Sequence, residues 1–101
     1  MDTFDRLQKH LSTEIVNTTT GLYYKPPVDL VKCANGTTLS VQASQWHYCT
    51  PRDNKGPYTE VEVWCVSAPV TEFEYSDEEP SAYVPIEAVV LFIDNHGGMT
   101  N

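Results

Sequence analysis

Thr59-Glu60-Val61-Glu62-Val63-Trp64-Cys65-Val66-Ser67 alternates strictly. Val61, Val63 and Cys65 fall on one side, and Glu60, Glu62 and Trp64 on the other, because successive strand side chains point to opposite faces. That pattern specifies an antiparallel strand with one face on a core and one in water. The stretch thus predicts a sheet and says which side of it is dry.

Upstream lies a polar, turn-rich loop, Pro51-Arg52-Asp53-Asn54-Lys55-Gly56-Pro57. Before it, residues 29–34 and 37–42 flank Asn35-Gly36, a pair that tolerates the positive φ angles of a type I′ hairpin turn. In the second arm Leu39 and Val41 share one face and Ser40 and Gln42 the other, and the arm is expected to run on towards residues 46–49. Downstream, residues 68–82 read as an acidic, Pro-bounded loop or irregular edge.

Residues 84–96 read as the main helix. Pro85 suits its first turn. Ile86, Val89, Val90 and Ile93 form an apolar stripe that Phe92 widens, and Gly97-Gly98 stops it. Residues 99–101 read as a frayed tail. At the other end, residues 2–11 place Phe4, Leu7 and Leu11 on one face of a short helix that Asp2 caps. Residues 14–24, rich in Thr, Val, Ile and Tyr, predict a strand in which Gly21 marks a bulge or turn. Pro26-Pro27 ends it. The expected fold is α+β: a three- to four-stranded antiparallel sheet with the C-terminal helix packed on one face and a short N-terminal helix. At 101 residues the chain is read as a single domain, 1–101.

Hydrophobic residues make up 41% of the chain, enough for a core, which sets aside full disorder. The longest apolar run, residues 88–93, is far short of a membrane span. The opening residues lack a secretory apolar core, so an intracellular protein is expected. The net charge is −8, and all six Lys and Arg lie in residues 1–55. Residues 56–101 hold nine acids and no Lys or Arg. That half repels phosphate and cannot supply the counterion release on which nucleic-acid binding rests. It suits a basic protein surface instead, or simply keeps a small protein soluble.

Three sets of residues carry candidate chemistry. Glu60, Glu62, Trp64, Glu72, Glu74, Asp77, Glu78 and Glu79 form an acidic contact surface interspersed with Tyr58, Phe73, Tyr75 and Tyr83. Aromatics anchor interfaces and surrounding acids steer a basic partner. The same carboxylates also fit a solvated edge that resists strand-to-strand aggregation. Their spacing matches neither a calcium loop nor a carboxylate pair in a sugar cleft. Trp46, His47, Tyr48 and Arg52 form a second cluster that would stack and neutralise a nucleotide-like ligand, although no Gly-rich phosphate loop accompanies it. Cys33, His47, Cys49 and Cys65 are a zinc-ligand set that adjacent strands could bring together, without a C-x-x-C knuckle, and the same cysteines also fit simple packing as small buried hydrophobes. The odd cysteine count argues against a disulfide framework. Cys49 with His47 or His96 has the residue types of a nucleophile and base, but no motif supplies an oxyanion hole. His96 is read as a helix C-cap. No enzyme activity and no cofactor are expected.

Cys33-Ala34-Asn35-Gly36, Ser40-Val41-Gln42-Ala43-Ser44, His47-Tyr48-Cys49 with Pro51-Arg52, Gly56-Pro57-Tyr58, Val61-Glu62-Val63, Tyr83-Val84-Pro85 and His96-Gly97-Gly98 together span about half the chain. On these motifs the chain resembles a family of small acidic proteins encoded by bacteriophages. It departs from the family pattern at Trp64-Cys65-Val66-Ser67, where a Gly-Phe-Pro-Ser-like turn is usual, and in its shorter acidic insert. The resemblance implies phage origin and a place in the host bacterial cytoplasm. By analogy with other small acidic phage proteins, it implies an anti-CRISPR-like inhibitor of host defence. The expected partner is a nucleic-acid-handling host protein with a basic surface, without direct contact to nucleic acid or membrane. A module sequestering a nucleotide signal, as a homo-oligomer, and a zinc-stabilised structural protein are the alternatives.

Overall fold

A computed structural model describes residues 2–12, 16–17 and 23–101. The elements are α1 (Thr3–Leu11), β1 (Val16–Asn17), β2 (Tyr23–Tyr24), β3 (Val31–Lys32), β4 (Thr38–Gln42), β5 (Glu60–Trp64), β6 (Ser81–Pro85) and α2 (Ile86–Asn95). β3–β6 form a four-stranded antiparallel sheet in that order, with α2 against it, so the α+β reading holds. Among the described residues no helix is long and apolar enough to cross a membrane.

The dry side of the sheet is the one the alternation predicts. Val31, Leu39, Val41, Val61, Val63 and Val84 are buried against Ile86, Val89, Phe92 and Ile93 of α2. Val90, expected in the helix stripe, is only partly buried, whereas Phe92 is fully buried with Val89 and Ile93. Leu7 and Leu11 close the core from α1, whereas Phe4 is exposed. Asp2 caps α1, accepting from Asp5 N–H at 2.8 Å. Gln8 fastens α1 to the chain entering β5: its Nε2 donates to Tyr58 O at 2.6 Å and its Oε1 accepts from Tyr58 N–H at 3.0 Å.

Several boundaries differ from expectation. The strand expected over residues 14–24 is instead two short strands folded back on each other, pairing Val16 with Tyr24 and Asn17 with Tyr23. The bulge or turn at Gly21 lies outside the described residues. The 35–36 hairpin forms, but not as type I′: Gly36 alone has positive φ, at 92°, and Asn35 does not. Gly36 N–H donates to Cys33 O, Cys33 N–H to Thr37 O, and the Asn35 side chain accepts from Thr37 N–H. That makes a tight turn followed by a glycine bulge. β4 stops at Gln42, because Ser44 turns the chain by accepting from Trp46 N–H at 3.0 Å.

β5 stops at Trp64, because Cys65 adopts φ 53°. Cys65 is therefore exposed rather than on the inner face. Residues 81–85, expected as loop and helix start, are the fourth strand, and Pro85 is the N-cap of α2 rather than part of its first turn. The helix ends as expected at Gly97 and Gly98, with φ 96° and 89°, and His96 Nδ1 contacts Phe92 O at 2.7 Å. The tail is not frayed. Met99 pairs with Cys33 and is buried, Thr100 N–H donates to Lys32 O, and the Asn101 side chain bridges Leu30 and Lys32. This covers the β3 edge, which would otherwise expose unpaired backbone.

Candidate functional site

With Val61 and Val63 turned inward, Glu60, Glu62 and Trp64 point to the outer face of the sheet. Glu62 organises that face. Its Oε2 accepts from Tyr48 N–H at 3.1 Å, and Tyr48 O accepts from Tyr83 N–H at 3.0 Å. The loop after β4 is thereby stitched to both β5 and β6. The β6 end of this stitch is a bulge: Val61 faces Val84 and Val63 faces Ser81, so Ala82 and Tyr83 together oppose Glu62. Tyr83 has φ 52°, a left-handed conformation that costs a side-chain-bearing residue about 1–2 kcal/mol. The bond to Tyr48 and the packing of the two rings, 5.9 Å apart, offset it.

Beside this junction lies a cleft of about 720 Å³ lined by Tyr48, Glu62, Glu74, Tyr75, Glu79 and Pro80, among others. Among the described lining residues there is no Lys or Arg. Tyr75 is fixed by its hydroxyl, which accepts from Val66 N–H at 2.9 Å. Three carboxylates and two phenol rings around one cleft favour a cation, a guanidinium or an ammonium. Exposed aromatics adjoin it: Tyr83 packs on Tyr48 and Trp64 reaches Asp77 of the turn beside it, while Trp46, on the same loop as Tyr48, is 67% exposed.

The expected acidic set is only partly brought together. Glu62, Glu74 and Glu79 share the cleft. Asp77 and Glu78 form the tip of a turn closed by the Ser76–Glu79 pair, and Trp64 Nε1 donates to Asp77 O at 3.3 Å. Glu60 accepts from Thr50 Oγ1 at 2.7 Å and so braces its own loop. Glu72 stands apart, accepting from Asn95 Nδ2 at the end of α2 and from Thr71. Of the interspersed aromatics, Tyr58 is buried, and Phe73 packs 6.1 Å from Phe92 instead of facing water.

The second cluster does not stand separate from the first. Tyr48, expected beside a nucleotide, lines the acidic cleft. Arg52 stacks on it, with Cζ 5.3 Å from the ring centroid, and donates to Gln45 O at 3.4 Å. His47 is held by Ser44 Oγ at 2.7 Å. Burial pulls the His47 pKa below its ordinary value; Glu62 opposes that and Lys25 adds to it. No sequence pattern marked the meeting of Tyr48 with Tyr83. Their contact depends on a bulge and an arched loop, neither of which has a periodic signature.

The zinc reading is not met: among the described residues no three His, Cys, Asp or Glu side chains gather as a metal-ligand set. Cys33 is buried beside Met99 and Cys65 is exposed. Cys49 is buried, with Ser44 O and Pro51 O at 3.2 and 3.3 Å from its Sγ as the two acceptors within reach of its one S–H. Burial pushes the Cys49 thiol up against the smaller pull of Lys25 and Arg52, which keeps it protonated and weakly nucleophilic at neutral pH. A second cleft of about 610 Å³, lined by Arg6, Lys9, His10 and Asn101, lies at α1. Arg6, Lys9 and His10 of α1 thus line one cleft and Glu62, Glu74 and Glu79 the other, with Arg52 beside the acidic one on Tyr48. Comparison of the chain with protein-family models, curated proteins and solved structures finds no match.

Proposed function

We propose that the chain is a phage-encoded, non-enzymatic inhibitor of host defence, of the anti-CRISPR kind. It acts in the bacterial cytoplasm by occupying a basic, nucleic-acid-binding surface of a host protein. The observation that carries this reading is the joining of Glu62, Glu74 and Glu79 with Tyr48 and Tyr75 in one cleft, with exposed Tyr83 packed on Tyr48 and exposed Trp64 bonded to the neighbouring turn. A basic surface that normally holds phosphates meets carboxylates here, and its Arg or Lys side chains meet aromatic faces. The aromatics supply anchoring area and the acids supply steering and partner choice. The face repels nucleic acid itself, so partner and nucleic acid would compete rather than assemble together.

The nucleotide-sequestering alternative needs Arg52 to meet a phosphate, yet its guanidinium is already stacked on Tyr48. A thermal-shift screen with cyclic nucleotides is expected to show no stabilisation. The direct test is capture from a bacterial lysate with the native chain and with Glu74→Lys/Glu79→Lys. A stoichiometric nucleic-acid-handling protein held by the native chain and lost with the double variant fits the proposal. Equal capture by both would reject it.

A further inference from the structure

A lysine enclosed by a fold is normally paired with a carboxylate. Lys25 departs from that rule. It is 2% exposed, and its Nζ donates to Ala43 O and, at 3.3 Å, to the Tyr58 hydroxyl. The ammonium also lies 5.0 Å from the Tyr58 ring centroid. These partners are a carbonyl, a hydroxyl and an aromatic face; among the described residues no carboxylate bonds the ammonium.

Ala43 and Tyr58 are the two feet of the loop that carries Trp46, Tyr48 and Arg52. One ammonium therefore fastens both feet. The middle of the loop converges on the same place. Cys49 is buried there and His47 feels the Lys25 charge, while the Tyr58 hydroxyl donates onward to Asp53 O at 2.9 Å. The Asp53 carboxylate attracts Lys25, but it is already engaged by the amides of Lys55 and Gly56.

We infer that residues 43–58 form a gated loop: closing it over Lys25 buries a positive charge that no carboxylate among the described residues bonds, so the loop opens without the rest of the molecule unfolding. Ammonium groups are strongly hydrated, and two neutral acceptors replace only part of that hydration. Opening returns the charge to water, whereas the sheet and α2 gain nothing from unfolding with it. Burial also lowers the Lys25 pKa despite the attraction of Cys49 and Asp53, as expected of a charge held at a cost. Such a loop belongs to the low-stability end of the fold, where segments that adapt to a partner are found. The inference concerns the loop itself and stands whether or not the outer face binds a basic protein.

The test is hydrogen exchange at one neutral pH, comparing the native chain with Lys25→Met, which keeps the stem and removes the charge. The amides to follow are Cys49, Thr50 and Gly56 in the loop, with Val41 and Val63 as sheet controls. In the variant the loop amides are expected to exchange about tenfold more slowly while the controls change little. Faster loop exchange in Lys25→Met would overturn the inference, because the ammonium's bonds would then outweigh its burial. A second measurement needs no substitution at Lys25: maleimide labelling of Cys49, resolved by mass spectrometry in a Cys65→Ser background. Labelling at least about tenfold faster than global unfolding allows is the expected result. Labelling at the rate of global unfolding would overturn it.

Discussion

At Asp53 one carboxylate oxygen accepts from the amides of Gly56 and Lys55, at 2.9 and 3.0 Å. Those two bonds hold its carboxyl below the ordinary carboxylate value of 3.8. A carboxyl depressed in the folded state contributes stability above its unfolded value, and the contribution disappears as pH falls through the folded value. Asp53→Ala is therefore expected to cost about 1 kcal/mol at neutral pH and less at pH 2. Denaturant midpoints of the two proteins at both pH values check this. The glycines give a second contrast. A Cβ on Gly97 would meet Ala34 Cβ at 2.9 Å, whereas one on Gly36 meets nothing within 4 Å, and both residues have positive φ. Gly36→Ala should cost about 1 kcal/mol, the conformational penalty alone, and Gly97→Ala about 2–3 kcal/mol, with the clash added. Equal losses in melting experiments would contradict this account of the junction between α2 and the 35–36 turn.

Among the elements, those with a period were legible and those without one were not. β5 was written in the alternation of Val61 and Val63 with Glu60 and Glu62, α1 in Leu7 and Leu11, and α2 in Ile86, Val89 and Ile93. β6 was hidden because its bulge breaks the alternation: Ala82 and Tyr83 share one partner, and both are exposed. The last residues carried no signal either, since Thr100 and Asn101 attach through backbone and carboxamide bonds to β3. The acidic site was legible as a composition and not as a place. Glu62, Glu74 and Glu79 meet through a loop path, and Glu72, alike in sequence, is turned to Asn95. The ranking inside α2 is directly testable. Phe92→Ala should cost about 3–5 kcal/mol, because Phe92 is fully enclosed between sheet and loop, and Val90→Ala about 1 kcal/mol or less. Chemical denaturation of both variants distinguishes a core centred on Phe92 from one shared along the stripe.

For the whole molecule the decisive feature is the difference between its two clefts: Arg6, Lys9 and His10 line one at α1, and Glu62, Glu74 and Glu79 line the other with Tyr48 and Tyr75. If the outer face is the contact, reversing charges in the cleft matters and altering Glu72 does not. Glu74→Lys/Glu79→Lys should slow association with the partner about tenfold or more, whereas Glu72→Gln leaves it unchanged. Both variants should keep their circular dichroism, since none of these side chains is in the core. The most direct test is the affinity of the purified pair, native chain and captured host protein, measured from about 50 to 500 mM salt with and without competing nucleic acid. An acidic face on a basic nucleic-acid site predicts affinity that falls steeply with salt and binding that nucleic acid displaces. Affinity indifferent to salt, with nucleic acid and the chain bound together, would contradict it.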